Sequence, residues 1–277
     1  MKRYLCDGIV KGATHQRNGL PCQDSKKIVE ISDDIVIIGV ADGHGSDKCP
    51  RSDRGSVIAV NTFCEVMKNY LQSYGTDENG LSNLITFLNR EGDMRFAQDI
   101  CEEWQARVKH SYYKNKVEGL VDEDGNIKWS SVYSLYGTTL LGVLITNSFV
   151  FSFQIGDGDI NLVTEDGVFA LVESEKFLGT ETHSLSKPDA WRKAVTSVRR
   201  RDGEEETSCM YMLSTDGFAN SYTTDTEFQK TCSDYLEMLQ THGAQIVQAN
   251  LKKWLVETSE LGCGDDITVI MAYFSKE

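Results

Sequence analysis

Apolar residues along the chain follow two different periods, and the places where one gives way to the other outline the fold. Residues 3–10 read as a first strand, while 12–24 (GATHQRNGLPCQD) are polar and glycine-rich and read as a loop. Residues 26–31 and 34–41 form the arms of a hairpin that turns at Ser32-Asp33. The second arm carries the unbroken β-branched run Ile35-Val36-Ile37-Ile38, the pattern of a strand buried on both faces. Phe63, Val66, Met67, Tyr70 and Leu71 then recur at three- and four-residue steps, which predicts an amphipathic helix over 52–74. Ala97, Ile100, Cys101, Trp104 and Val108 repeat that spacing and predict a second helix, beginning near Ser82 and breaking around Gly92.

Beyond 138 the pattern turns to β. Residues 138–146 predict a strand, Asn147-Ser148 a turn, and Phe149, Phe151, Phe153 and Ile155 alternate along one face of the next strand. Segments 161–164 and 168–172 bracket the turn Glu165-Asp166-Gly167. Residues 173–192 are polar and irregular. Segments 195–198 and 208–214 pair across the charged turn 199–206, two helices follow over 224–240 and 243–258, and 267–274 is a last strand. Residues 121–129 (VDEDGNIKW) superficially suggest a calcium loop, but the glycine stands fourth from Asp122, not sixth, and no Glu closes it. A polar turn is expected there. With helices at both ends of a β-rich middle and no repeat or linker, the expected class is α+β: a four-layer α/β/β/α sandwich of two antiparallel sheets flanked by helices, in one domain spanning 1–277.

Composition then removes several functions. The 277 residues are 40% hydrophobic and 25% charged, enough for a sizeable core in an ordinary soluble chain. The 28 basic and 42 acidic residues give a formal charge of −14, which argues against nucleic acid or an anionic membrane as a partner. The N-terminal MKRYLCDGIVKG lacks the apolar core of a signal peptide, and no apolar run approaches the length of a membrane span. The eight cysteines are scattered without CxxC spacing and read as reduced thiols, so a cytoplasmic, monomeric protein is expected.

The chemistry lies where strands end. The run 35–45 delivers Asp42-Gly43-His44-Gly45 to the rim of the core, and a carboxylate there needs a cation or several donors. Three more strand ends repeat the arrangement: Gln154-Ile155-Gly156-Asp157-Gly158-Asp159, Ser214-Thr215-Asp216-Gly217, and Gly264-Asp265-Asp266 before the last strand. Four Asp-Gly corners far apart in sequence suggest carboxylates converging on one place. Oxygen-rich sites of this kind suit hard divalent cations such as Mg²⁺ and Mn²⁺.

Taken in order, these strings resemble the metal-dependent type-2C serine/threonine protein phosphatases, the PPM family. Pro21-Cys22-Gln23-Asp24 is similar to its first acidic motif and Asp42-Gly43-His44-Gly45 to its DGHG. Gly137-Thr138-Thr139 is similar to its GTT, Gly156-Asp157 to its GD, Ser214-Thr215-Asp216-Gly217 to its SDG, and Gly264-Asp265-Asp266-Ile267-Thr268 to its closing DNxT. The resemblance implies two Mn²⁺ or Mg²⁺ ions bridged by Asp42, one also held by the Gly43 carbonyl and the other by Asp216 and Asp265. It implies that Asp24 acts through metal-coordinated water and that Asp157 belongs to a third, weaker site. The implied reaction is hydrolysis of phosphoserine or phosphothreonine in protein substrates, with His44 orienting water or protonating the leaving group. Two positions depart from the family's pattern. Gln23 stands where a Glu is common, and Gly19 stands where many members place a phosphate-gripping Arg, leaving Arg17 and His15 of the same loop as candidates for that role. The polar stretch 173–192 falls where the family carries a flap beside the site. The rival reading is a catalytically silent phosphoprotein-binding module on the same scaffold.

Overall fold

The computed structural model describes residues 1–173, 182–201 and 207–276. Among the described residues, ten strands form two five-stranded antiparallel sheets. The first is ordered β1 (Lys2–Val10), β10 (Ile267–Ser275), β9 (Cys209–Ser214), β6 (Asp159–Thr164), β7 (Gly167–Ala170). The second is ordered β2 (Ser25–Glu30), β3 (Val36–Ala41), β4 (Leu140–Ile145), β5 (Phe149–Ile155), β8 (Val195–Arg200).

Alternation along the strands builds three apolar layers. Val36, Ile38 and Val40 of β3 face the other sheet and pack in one layer with Leu141, Val143, Tyr211, Leu213, Ile270 and Ala272. Ile37 and Ala41 point the opposite way, into the layer shared with α2 (Ser52–Tyr74), α3 (Glu78–Glu91) and α4 (Ala97–Lys114). On the far side, Val269, Met271 and Tyr273 of β10 pack with Leu236 and Leu239 of α7 (Asp225–His242) and Leu251 and Leu255 of α8 (Ala244–Leu261). β3 and β10 are therefore each covered on both faces, which is why their sequences read as continuous apolar runs. The result is the expected α/β/β/α sandwich of two antiparallel sheets. Among the described residues, no helix is long and apolar enough to cross a membrane.

The structure overturns one local expectation and refines others: β8 and β9 do not pair across the charged turn, because β8 joins β5 in the second sheet while β9 lies between β10 and β6 in the first. The break at Gly92 is a π-helical turn, Gly92–Phe96, between α3 and α4. It turns Phe96 into the core, where its ring meets Phe151 edge-on at 5.3 Å and Phe153 at 5.7 Å. Residues 12–24 are not all loop, because Ala13–Asn18 form a short helix, α1, with no side-chain cap. A distant segment supports it: Thr14 N–H donates to the Gly264 carbonyl at 2.8 Å, and Gly12 N–H to Asp266 Oδ1 at 2.6 Å. A second short helix, α5 (Trp129–Ser134), precedes the β-rich middle, where Trp129 stacks on Tyr133. Of the polar stretch 173–192, residues 174–181 lie outside the described residues, as do 202–206 of the charged turn. Residues 190–193 form a 3₁₀ turn.

Candidate metal centre

Five carboxylates converge at one end of the sandwich, each delivered by the end or beginning of a core strand. Asp42 follows β3, Asp157 follows β5, Asp216 follows β9 and opens the short helix α6 (Asp216–Ala219), Asp265 precedes β10 and Asp24 precedes β2. Burial first, then the charges of Asp24, Asp216, Asp265 and Asp157, push the Asp42 carboxyl far above its ordinary range. Asp42 therefore lies within the field of the other four. Burial raises Asp216 to about 7, with Asp157 and Asp265 adding to it. Asp24 is pushed by burial to about 8, although two hydroxyls hold it down.

The backbone fixes these groups tightly. Asp42 N–H donates to Thr139 Oγ1 at 2.9 Å, and its carbonyl accepts from Thr138 Oγ1 and Thr139 N–H, both at 2.8 Å. Gly43 bridges to Thr138, and a Cβ there would lie 2.6 Å from the Ser52 carbonyl oxygen, so only glycine lets the chain pass. His44 N–H donates to the Gly137 carbonyl at 3.0 Å, and a Cβ on Gly137 would sit 2.8 Å from the His44 ring. Gly156, at φ +117°, turns the chain out of β5 so that Asp157 can face the cluster; Thr182 Oγ1 donates to Asp157 Oδ2 at 2.6 Å.

Asp24 Oδ2 accepts from Thr215 and Thr268, each at 2.7 Å, while its Oδ1 is buried without a protein partner. A buried carboxylate oxygen facing other carboxylates requires a cation or a cation-bound water, since leaving it bare costs a few kcal/mol. The donor set consists of oxygens, matching hard divalent ions rather than zinc or copper. The residues present therefore fit Mn²⁺ or Mg²⁺.

His15 turns toward the loop before β10, with Nδ1 3.0 Å from Asp266 Oδ2 and Nε2 3.8 Å from Asp265 Oδ1. Arg17 lies exposed on α1 and donates to Thr14 Oγ1 at 3.1 Å. Gln23 directs its Nε2 to Ser52 Oγ at 2.9 Å, while its carbonyl accepts from Gly43 N–H at 3.1 Å and from Ser56 Oγ at 2.5 Å. It ties the N-terminal loop to the Asp42-Gly43 corner. Burial lowers the His44 pKa; Asp157 opposes that effect and Lys187 adds to it.

Sequence reasoning passed over Asp266, Thr215 and Thr268. Asp266 Oδ1 and Oδ2 accept from the backbone of Gly12 and Gln23, both at 2.6 Å, fastening the N-terminal loop against the site. Thr215 and Thr268 stand beside metal-candidate aspartates in STDG and DDIT, and that adjacency was the available signal.

The sequence profile described as Protein phosphatase 2C matches residues 11–256. No curated protein matches the chain. Among solved structures, the catalytic domain of the serine/threonine protein phosphatase PstP, in complex with 2 manganese ions, is similar at TM-score 0.57 and 13% identity, covering 99% of both chains. The serine/threonine phosphatase of S. agalactiae is similar at TM-score 0.62 and 14% identity, over 99% of this chain and 100% of that one. Stp1 from Staphylococcus aureus is similar at TM-score 0.59 and 12% identity, over 99% of this chain and 96% of the other. At these identities the likeness is one of fold.

Proposed function

Because the chain belongs to the protein phosphatase 2C family, we propose that it hydrolyses phosphoserine and phosphothreonine in proteins at a centre of two divalent cations. The observation that carries this reading is the cluster of five carboxylates with a buried, unpartnered oxygen on Asp24. Asp42 would bridge the ions, the Gly43 carbonyl would hold one, and Asp216 and Asp265 the other. Asp24 would hold water at the edge of the pair, and Asp157 would support a third, weaker ion. When bound, Mn²⁺ or Mg²⁺ supplies neutralisation of the phosphate dianion and an acidified water nucleophile.

The chain's own residues set the rest of the chemistry. Thr138 and Thr139 lock the Asp42 backbone, and the Thr215 and Thr268 hydroxyls orient Asp24. Burial lowers the His44 pKa and so favours its neutral form. A neutral imidazole accepts at one nitrogen and donates at the other, so His44 is suited to orienting water, and proton delivery to the leaving alkoxide would pass through that water. No cysteine nucleophile is required.

The substrate class is tested by comparing kcat/KM for a phosphothreonine peptide with that for a small phosphoester metabolite analogue, both with Mn²⁺. A clear preference for the peptide is expected. A preference for the small ester would replace the protein substrate with a phosphometabolite.

A further inference from the structure

A dianion approaching five carboxylates is helped by a protein cation beside the ions, and the two N-terminal candidates already have partners. His15 faces Asp265 and Asp266, and Arg17 bonds within its own helix. Among the principal charges acting on Asp24, Asp42, His44 and Asp216, every one is a carboxylate except Lys187.

The position of Lys187 is built into the fold. Thr138 Oγ1 donates to the Asp42 carbonyl at 2.8 Å, and Thr138 N–H donates to Ser184 Oγ at 3.2 Å. Leu185 N–H returns to the Thr138 carbonyl at 3.0 Å, and Lys187 N–H closes a turn on the Ser184 carbonyl at 3.2 Å. Ser184, Leu185 and Ser186 are buried, whereas Lys187 is exposed. A short chain of hydrogen bonds thus runs from the Asp42 backbone to the Lys187 backbone, and the exposed Lys187 side chain lies close enough to act electrostatically on His44. Among the described residues, no ion pair or hydrogen bond engages its ammonium group.

We propose that Lys187 is a substrate-binding residue that grips the phosphate dianion at the mouth of the site, filling the role left open at Gly19. The inference rests on the phosphatase reading above. A lysine suits the task because a compact ammonium binds phosphate as a point charge from several approach directions.

The test compares wild type, Lys187→Ala and Lys187→Arg with Mn²⁺ present. KM and kcat are measured on a phosphothreonine peptide and on p-nitrophenyl phosphate, and inorganic phosphate affinity is measured by calorimetry. For Lys187→Ala, KM on both esters and the phosphate Kd are expected to rise by about 10- to 100-fold, the loss of one charge-assisted contact. The expected kcat stays within about threefold, as for a contact made equally in ground and transition states, and Lys187→Arg restores most of the affinity. Unchanged KM and Kd in Lys187→Ala, or a loss confined to kcat, would overturn the assignment. If wild type binds phosphate but hydrolyses neither ester, the phosphatase reading fails and the Kd comparison alone decides the role of Lys187.

Discussion

Asp42→Ala is expected to lose metal-dependent phosphate release by more than about 100-fold, because even residues one contact removed from a metal change activity by about 10–100-fold. Asp42 is the carboxylate on which the fields of the other four converge, and it would be the one shared by both ions. Calorimetric titration with Mn²⁺ should show two tight ions in wild type and the loss of at least one in the variant. The fold should survive, because the Asp42 backbone stays bonded to Thr138 and Thr139 whatever the side chain. Near-wild-type turnover in Asp42→Ala would remove the proposed centre from this end of the sandwich.

The second large effect concerns stability without metal. Asp24 and Asp216 are raised to about 8 and about 7 from 3.8. Between those values the folded protein holds more protons than the unfolded chain, so stability falls as pH rises. In chelator, the melting temperature should therefore climb as pH is lowered from 8.5 to 5.5. Asp216→Asn removes one of the repelling charges. It should raise the chelated melting temperature at pH 8.5 by roughly 2–6 °C, corresponding to about 1–2 kcal/mol in a chain of this size, with little effect at pH 5.5. Saturating Mn²⁺ should invert the order, since wild type then gains more from the ion than the variant does. A melting temperature for Asp216→Asn below wild type at every pH in chelator would mean that the carboxylates are not crowded.

Much of this was legible in the sequence wherever a local pattern has a single physical meaning. The strand 36–41 is covered on both faces, and its β-branched run says so directly. The Asp-Gly corners marked strand ends because glycine permits the exit and aspartate marks the rim. What remained hidden depends on contacts across the chain. Helix α1 has no cap of its own and is held by Gly264 and Asp266, about 250 residues away in sequence, so propensity had nothing to register. The role of Asp266 is of the same kind, since its carboxylate accepts from the backbone at Gly12 and Gln23. At Gln23, which stands where a Glu is common, the side-chain amide donates to Ser52 while the backbone carbonyl accepts from Ser56 and Gly43. The π-helical turn at Gly92–Phe96 showed only as a break, because its purpose is to place the Phe96 ring among Phe63, Phe151 and Phe153.

The central claim is that this carboxylate cluster is a working metal centre for phosphate ester hydrolysis. Its most direct test is phosphate release from a phosphothreonine peptide by the wild-type chain in Mn²⁺, in Mg²⁺ and in chelator. Release is expected with a divalent ion and none in chelator, restored when the ion is returned. Undiminished release in chelator, or none with either ion from protein that remains folded, would contradict the claim, and the second outcome would favour a silent phosphoprotein-binding module.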